Sequence, residues 1–123
     1  MLVDDNPDDN FFHQRVVKKY DATIQVQAIE SASEALDYLK TNSGSSVHPD
    51  LIFLDVNMPG MNGWEFLEEY DKLGIHKDII IIMLTTSEDQ KDIAKSQAWD
   101  FVADFKTKPL TAKVLDEIKQ KYY

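Results

Sequence analysis

The sequence predicts an α/β fold built on a parallel sheet. Two patterns predict it. Strand-length apolar runs alternate with stretches of helical periodicity five times along 123 residues, and two of those runs, residues 51–54 and 79–84, are apolar without interruption. Unbroken apolar strands are expected where helices cover both faces of a sheet. Regular alternation of the two element types favours βαβ units over segregated strands and helices. The length fits one domain, residues 1–123. A hydrophobic content of 43% suffices for an ordinary core.

The elements follow in order. Met1-Leu2-Val3 reads as the stub of a first strand, short enough that native residues are expected upstream. Asn6-Pro7 breaks it, and Pro7 suits the first turn of a helix, where its missing N–H would be unpaired anyway. Phe11, Phe12, Val16, Val17 and Tyr20 then recur at helical spacing. Residues 23–29 alternate Ile24, Val26 and Ala28 with polar neighbours, as a strand with one exposed face would. Ser31-Ala32-Ser33-Glu34 matches a capping box, and Ala35, Leu36 and Leu39 give the second helix its apolar stripe. A polar loop at 42–46 leads to the third strand at 51–54. Pro59-Gly60 and Asn62-Gly63 are turn signals before a helix over 64–73. The fourth strand spans 79–84, and Ser87-Glu88-Asp89-Gln90 is a second capping box opening a helix to about Ala98. A short fifth strand covers 102–105, Pro109 stops it, and Thr111 caps a last helix running toward Tyr122.

Composition excludes several classes. There is no cysteine, so disulfides and thiolate metal sites are ruled out and a cytoplasmic location is the expectation. No apolar run approaches the roughly 18 residues of a membrane span, and Met1-Leu2-Val3 runs straight into Asp4-Asp5 rather than into a signal-peptide core. A formal charge of −9 argues against direct binding to nucleic acid, which rests on Lys and Arg neutralising phosphates.

The polar residues at the strand ends carry the chemistry. Asp4 and Asp5 follow the first strand, Asp55 the third, Thr85 and Thr86 the fourth, and Lys108 the fifth. Parallel strands all end on one edge, where ligands of open α/β sheets bind. Three neighbouring carboxylates repel and raise one another's pKa unless a cation sits among them. Mg²⁺, with its preference for a carboxylate or two, water and phosphate oxygens, would relieve that. An ammonium and a hydroxyl complete what is needed to stabilise a phosphoryl group in transfer. Asp55, central in this set, is placed to act as nucleophile and form an acyl phosphate. Taken singly, each residue has a plainer explanation. Asp4-Asp5 suits helix capping, Ser87 is a cap, and Lys108 alone would be a solvated lysine. Four strand ends supplying complementary groups together are harder to ascribe to chance.

Those same residues sit in longer motifs. Leu2-Val3-Asp4-Asp5-Asn6-Pro7, the block from Asp50 through Asp55-Val56-Asn57-Met58-Pro59-Gly60-Met61-Asn62-Gly63, then Met83-Leu84-Thr85-Thr86 and Lys108-Pro109-Leu110 resemble the receiver domain of two-component response regulators. The resemblance spans nearly the whole chain. It implies a flavodoxin-like (βα)5 fold, a doubly wound five-stranded sheet of order 2-1-3-4-5. It also implies roles. Asp55 accepts a phosphoryl group from the phosphohistidine of a sensor histidine kinase or histidine phosphotransfer protein. Asp5 and Asp55 bind Mg²⁺ through carboxylates and Asn57 through its backbone carbonyl, while Asp4 holds a metal-bound water. Thr85 and Lys108 contact the phosphoryl oxygens. Pro109 follows a cis peptide bond. Phe105 turns inward when Thr85 moves, although an aromatic on the fifth strand also serves plain core packing.

Departures from the family pattern are local. Thr86 stands where a smaller residue is common and narrows access to the site. Phe101-Val102 replaces a common Gly-Ala pair, which leaves the end of the fourth helix open, and Trp99 in that region reads as partly buried. Asn57 and Ser87 occupy positions where the family tunes hydrolysis of the acyl phosphate.

The leading functional expectation is therefore a self-catalysing phosphoacceptor module rather than a conventional enzyme. It would switch a downstream protein target at the face formed by the fourth helix, fifth strand and fifth helix, near Trp99, Phe105 and Lys106. A stand-alone regulator is preferred to a fragment of a larger one, because the last helix ends with the chain. The runner-up is a Mg²⁺-dependent phosphatase with an aspartate nucleophile, disfavoured because such enzymes place that residue after the first strand and carry a cap. A degenerate receiver that is never phosphorylated is a third reading, which the complete set Asp4, Asp5, Asp55, Thr85 and Lys108 opposes.

Overall fold

A computed structural model describes residues 1–42, 48–74, 79–86 and 90–123. In chain order the elements are β1 (Leu2–Val3), α1 (Pro7–Tyr20), β2 (Ala28–Ile29), α2 (Ala32–Thr41), β3 (Leu51–Asp55), α3 (Gly63–Leu73), β4 (Ile80–Thr85), α4 (Gln90–Ser96), β5 (Val102–Thr107) and α5 (Ala112–Tyr122). The strands form one parallel sheet in the order β2-β1-β3-β4-β5, the doubly wound, flavodoxin-like order expected. The order reverses between β1 and β3, and there the crossovers diverge to opposite faces.

The unbroken apolar strands are explained by two cores. Ile52, Leu54, Ile81 and Met83 point to one face and pack with Leu36 and Leu39 of α2 and Phe66 and Leu67 of α3. Phe53, Ile82 and Leu84 point to the other, against Val17 of α1 and Leu115 and Ile118 of α5. Successive side chains on a strand alternate faces, so both parities of β3 and β4 must be apolar.

Local signals fix the helix ends. Asn6 accepts from the backbone N–H groups of Asp8 and Asp9, Ser31 from Glu34, and Thr111 from Val114. At α3, Asn62 and Glu65 form a full reciprocal capping box, at 2.9 and 3.1 Å. Each such cap is worth about 1 kcal/mol. Gly74 ends α3 in the left-handed region at φ 58°, a conformation open to glycine at little steric cost.

Three expectations differ from the structure. The strand expected over 23–29 is reduced to Ala28–Ile29, with Ile29 buried and Ala28 and Ile24 exposed against the expected parity, while Val26 is partly buried as expected. Upstream, Asp21 holds the chain in a turn through Thr23 N–H and Ile24 N–H, so that stretch makes no ladder. On α1 the buried positions are Asn10, His13 and Val17, while Phe11 and Phe12 are 62% and 49% exposed. The apolar spacing marked the inward face at Val16, Val17 and Tyr20, which pack into or against the second core, but not at Phe11 and Phe12. Finally, β5 runs two residues beyond expectation, to Thr107, where it pairs with Thr85. The fourth helix is described over Gln90–Ser96, close to the expected end near Ala98, and residues 87–89 of the expected capping box lie outside the described residues.

Candidate functional site

The carboxyl ends of β1, β3, β4 and β5 meet at one rim, and the sheet register puts them there. Val3 aligns with Leu54, Asp55 with Leu84, and Thr85 with Thr107. The next residues after β1 are Asp4 and Asp5, and the next after β5 is Lys108. Lys108 N–H donates to the Thr85 carbonyl at 2.6 Å, which locks the β5 exit to the β4 end. The Lys108–Pro109 peptide is cis.

Carboxylate oxygens of Asp4, Asp5 and Asp55 all lie within 4.8 Å of one another. Asp4 and Asp55 are buried, and Asp5 is more open to solvent. Asp4 is held firmly: its Oδ1 accepts from Asn6 N–H at 3.0 Å and its carbonyl accepts from Asn10 Nδ2 at 2.8 Å. The Lys108 ammonium reaches into this group. Its Nζ lies 2.6 Å from Asp4 Oδ2, 3.0 Å from Asp9 Oδ2 and 3.4 Å from Asp55 Oδ1, and its side chain is 11% exposed.

Electrostatics follow from that geometry. Burial, then the Asp4 charge, raises the Asp55 pKa to about 6 against the partial relief from Lys108. Burial disfavours the Lys108 charge, but hydrogen bonds to Asp4 and Asp9 and the charge of Asp55 together outweigh it, so the ammonium is held above the usual lysine range. Burial and then the Lys108 charge keep His13 below the ordinary histidine range. Four carboxylates (Asp4, Asp5, Asp9, Asp55) thus face one ammonium, an excess that invites a further cation.

Thr85 is fully buried, and its hydroxyl has no hydrogen-bond partner among the described residues. A buried hydroxyl without a partner is costly, and this one belongs to the last residue of β4. Asn57 is exposed two residues beyond Asp55. Gly63 lets α3 close on the end of β3 that carries Asp55. A Cβ there would lie 2.6 Å from the Asp55 carbonyl oxygen and 3.0 Å from the Val56 Cα. Phe105 aligns with Met83 and is half-buried against the α2–α3 core, on the side shared with Trp99.

The structure thus brings together Asp4, Asp5, Asp55 and Lys108 at one rim, with Thr85 at the adjoining end of β4, Asn57 exposed two residues beyond Asp55 and Phe105 further down β5. Sequence reasoning missed Asp9, Asn10 and His13. The available signal was their place on a helix starting at Pro7, whose first turns must lie at the same rim as the end of β1.

Comparison with known proteins gives the same picture. A family model described as the response regulator receiver domain matches residues 1–119. The chain is 26% identical over 125 residues to the "Probable methanogenesis regulatory protein FilR2" of Methanothrix harundinacea, covering 98% of this chain and 80% of that protein. It is 27% identical over 123 residues to the two-component response regulator ORR1 of Oryza sativa subsp. indica, covering 98% of this chain and 53% of that one. Another curated relative is longer still, and the chain spans 29% of it. The crystal structure of a two component response regulator from Cytophaga hutchinsonii superposes with a TM-score of 0.90 at 30% identity, over 98% of this chain and 92% of that one.

Proposed function

The chain belongs to the response regulator receiver domain family of two-component signalling, and from that premise we propose that Asp55 is its phosphoacceptor and that residues 1–123 act as one receiver module. The observation that carries the reading is the meeting of Asp4, Asp5 and Lys108 around Asp55. An Asp55 carboxylate oxygen attacks the phosphorus of a phosphohistidine on a sensor kinase or histidine phosphotransfer protein. The O–P bond forms as the P–N bond breaks, and the departing imidazole nitrogen keeps the electron pair and takes a proton from solvent. With its pKa near 6, Asp55 is mostly ionised at neutral pH and able to attack. Lys108 offers its N–H groups, and Thr85 its unpartnered hydroxyl, to the equatorial oxygens where charge collects.

The all-oxygen, net-negative donor set fits Mg²⁺. Asp5 and Asp55 would hold it directly, Asn57 through its backbone carbonyl and Asp4 through water. When bound, the ion supplies positive charge that offsets the carboxylates and the incoming phosphoryl oxygens. The phosphorylated site then draws Thr85 inward and Phe105 follows, changing the α4–β5–α5 face near Trp99 and Lys106 where a downstream protein docks. Among the described residues no helix is long and apolar enough to cross a membrane. From the family membership we place the module in the cytoplasm.

Acetyl phosphate tests this. With Mg²⁺, intact-mass spectrometry is expected to find one phosphoryl adduct on the wild-type chain and none on Asp55→Asn, and chelation is expected to abolish labelling. Sustained turnover of an aryl phosphate would instead favour the phosphatase reading.

A further inference from the structure

Resting on that reading of Asp55, we propose that Asp9 is a positioning residue that restrains phosphoryl transfer by competing with the phosphoryl group for the Lys108 ammonium. An ammonium has three N–H groups, and here it donates to Asp4 at 2.6 Å and to Asp9 at 3.0 Å while Asp55 lies at ion-pair distance, 3.4 Å away. Asp4 and Asp55 belong to the close cluster suited to a cation, and Asp9 does not. A cation among the first group weakens the claim of Asp4 on Lys108, and a phosphoryl group on Asp55 replaces that carboxylate as an acceptor. Asp9 is then the acceptor left to hold Lys108 back.

Asp9 is built to persist in that role. It lies in the first turn of α1, where the helix dipole favours a negative charge. Asn6 accepts from its backbone N–H while donating its own N–H to Asp4, so the two carboxylates that pull on Lys108 are fixed in one piece of chain. Its side chain is 37% exposed, so removing its charge leaves no buried group stranded on its own side. A charge-assisted hydrogen bond to a carboxylate also spends part of the ammonium's field, which is needed in full where charge develops on the transferring oxygens.

The test compares Asp9→Asn, Asp9→Glu and Asp8→Asn by initial rate of labelling with acetyl phosphate across donor concentration, with Mg²⁺, at low salt and at about 0.5 M salt. Asp8 is the neighbouring exposed carboxylate of the same helix turn and makes no contact with Lys108 among the described residues. Asp8→Asn therefore carries the same loss of charge without the loss of the competing acceptor. Asp9→Asn is expected to raise the maximal rate about three- to tenfold with little change in half-saturation, an effect of the size of one charged hydrogen bond largely offset. Asp9→Glu is expected to stay within twofold of wild type and Asp8→Asn likewise, with the Asp9→Asn gain surviving at high salt, where distant charges are screened. A rate equal to or below wild type in Asp9→Asn, or an equal gain in Asp8→Asn, overturns the proposal. Absence of labelling on the wild-type chain defeats the assignment of Asp55 first, and the role of Asp9 with it.

Discussion

Two lysines at the end of β5, two residues apart, live in different worlds. Lys106 is 26% exposed and makes ion pairs of 3.6 Å with Asp104 and Glu117 on the outer side, toward α5. Lys108 is 11% exposed and makes contacts of 2.6 and 3.0 Å inside the rim. Both are cations beside acids, yet water reaches every member of the first set, whereas Lys108, Asp4 and Asp55 are largely shielded from it and only Asp9 of the second set is open to it. Exposed pairs contribute about 0–1 kcal/mol. Removing one partner from a buried set strands charge that water cannot reach. Position along the sheet edge, rather than residue type, turns a surface lysine into part of a site.

Replacing each lysine by methionine keeps most of the apolar stem and deletes the charge. In urea unfolding at pH 7 without Mg²⁺, Lys108→Met is expected to lower stability by about 3 kcal/mol, the low end for breaking a buried ionic set. Lys106→Met is expected to change it by less than about 1 kcal/mol. Equal losses at the two positions would break the comparison.

Asp55→Asn sharpens it from the acidic side. The folded chain holds the Asp55 proton to about pH 6, whereas an unfolded chain releases it near 3.8. Folding is therefore opposed by ionisation: the penalty is absent below about pH 4, grows through the interval up to about pH 6, and is complete above it. Asp55→Asn is expected to be more stable than wild type by about 2 kcal/mol at pH 7, with the gain vanishing near pH 4. Urea titrations at several pH values read this directly. A gain that is flat with pH, or a loss at neutral pH, would show that Lys108 already neutralises the rim.

The central strands and the site were legible in the sequence because one physical requirement wrote each. Helices on both faces demand the unbroken apolar runs of β3 and β4. Orphan N–H groups demand the caps Ser31 and Thr111. A shared rim demands complementary polar residues at separate strand ends. What was not legible depended on partners distant in the chain. β2 is short because its neighbour β1 spans two residues and Asp21 diverts the chain before it. The first half of the inward face of α1 is marked by Asn10 and His13, and the polarity of Asn10 makes sense once it is seen bonding the Asp4 carbonyl. Asp9 stands in the first turn of a helix, where an acid is ordinary, and its tie to Lys108, 99 residues away, exists only in the folded chain.

The most direct test asks where the phosphoryl group goes. The chain is treated with acetyl phosphate and Mg²⁺, then with borohydride, which reduces an acyl phosphate to homoserine, and the peptides are sequenced by mass spectrometry. Conversion at residue 55, and at none of Asp4, Asp5 and Asp9, is the predicted result. Conversion at another carboxylate, a label carried by a histidine, or no conversion at all would contradict it.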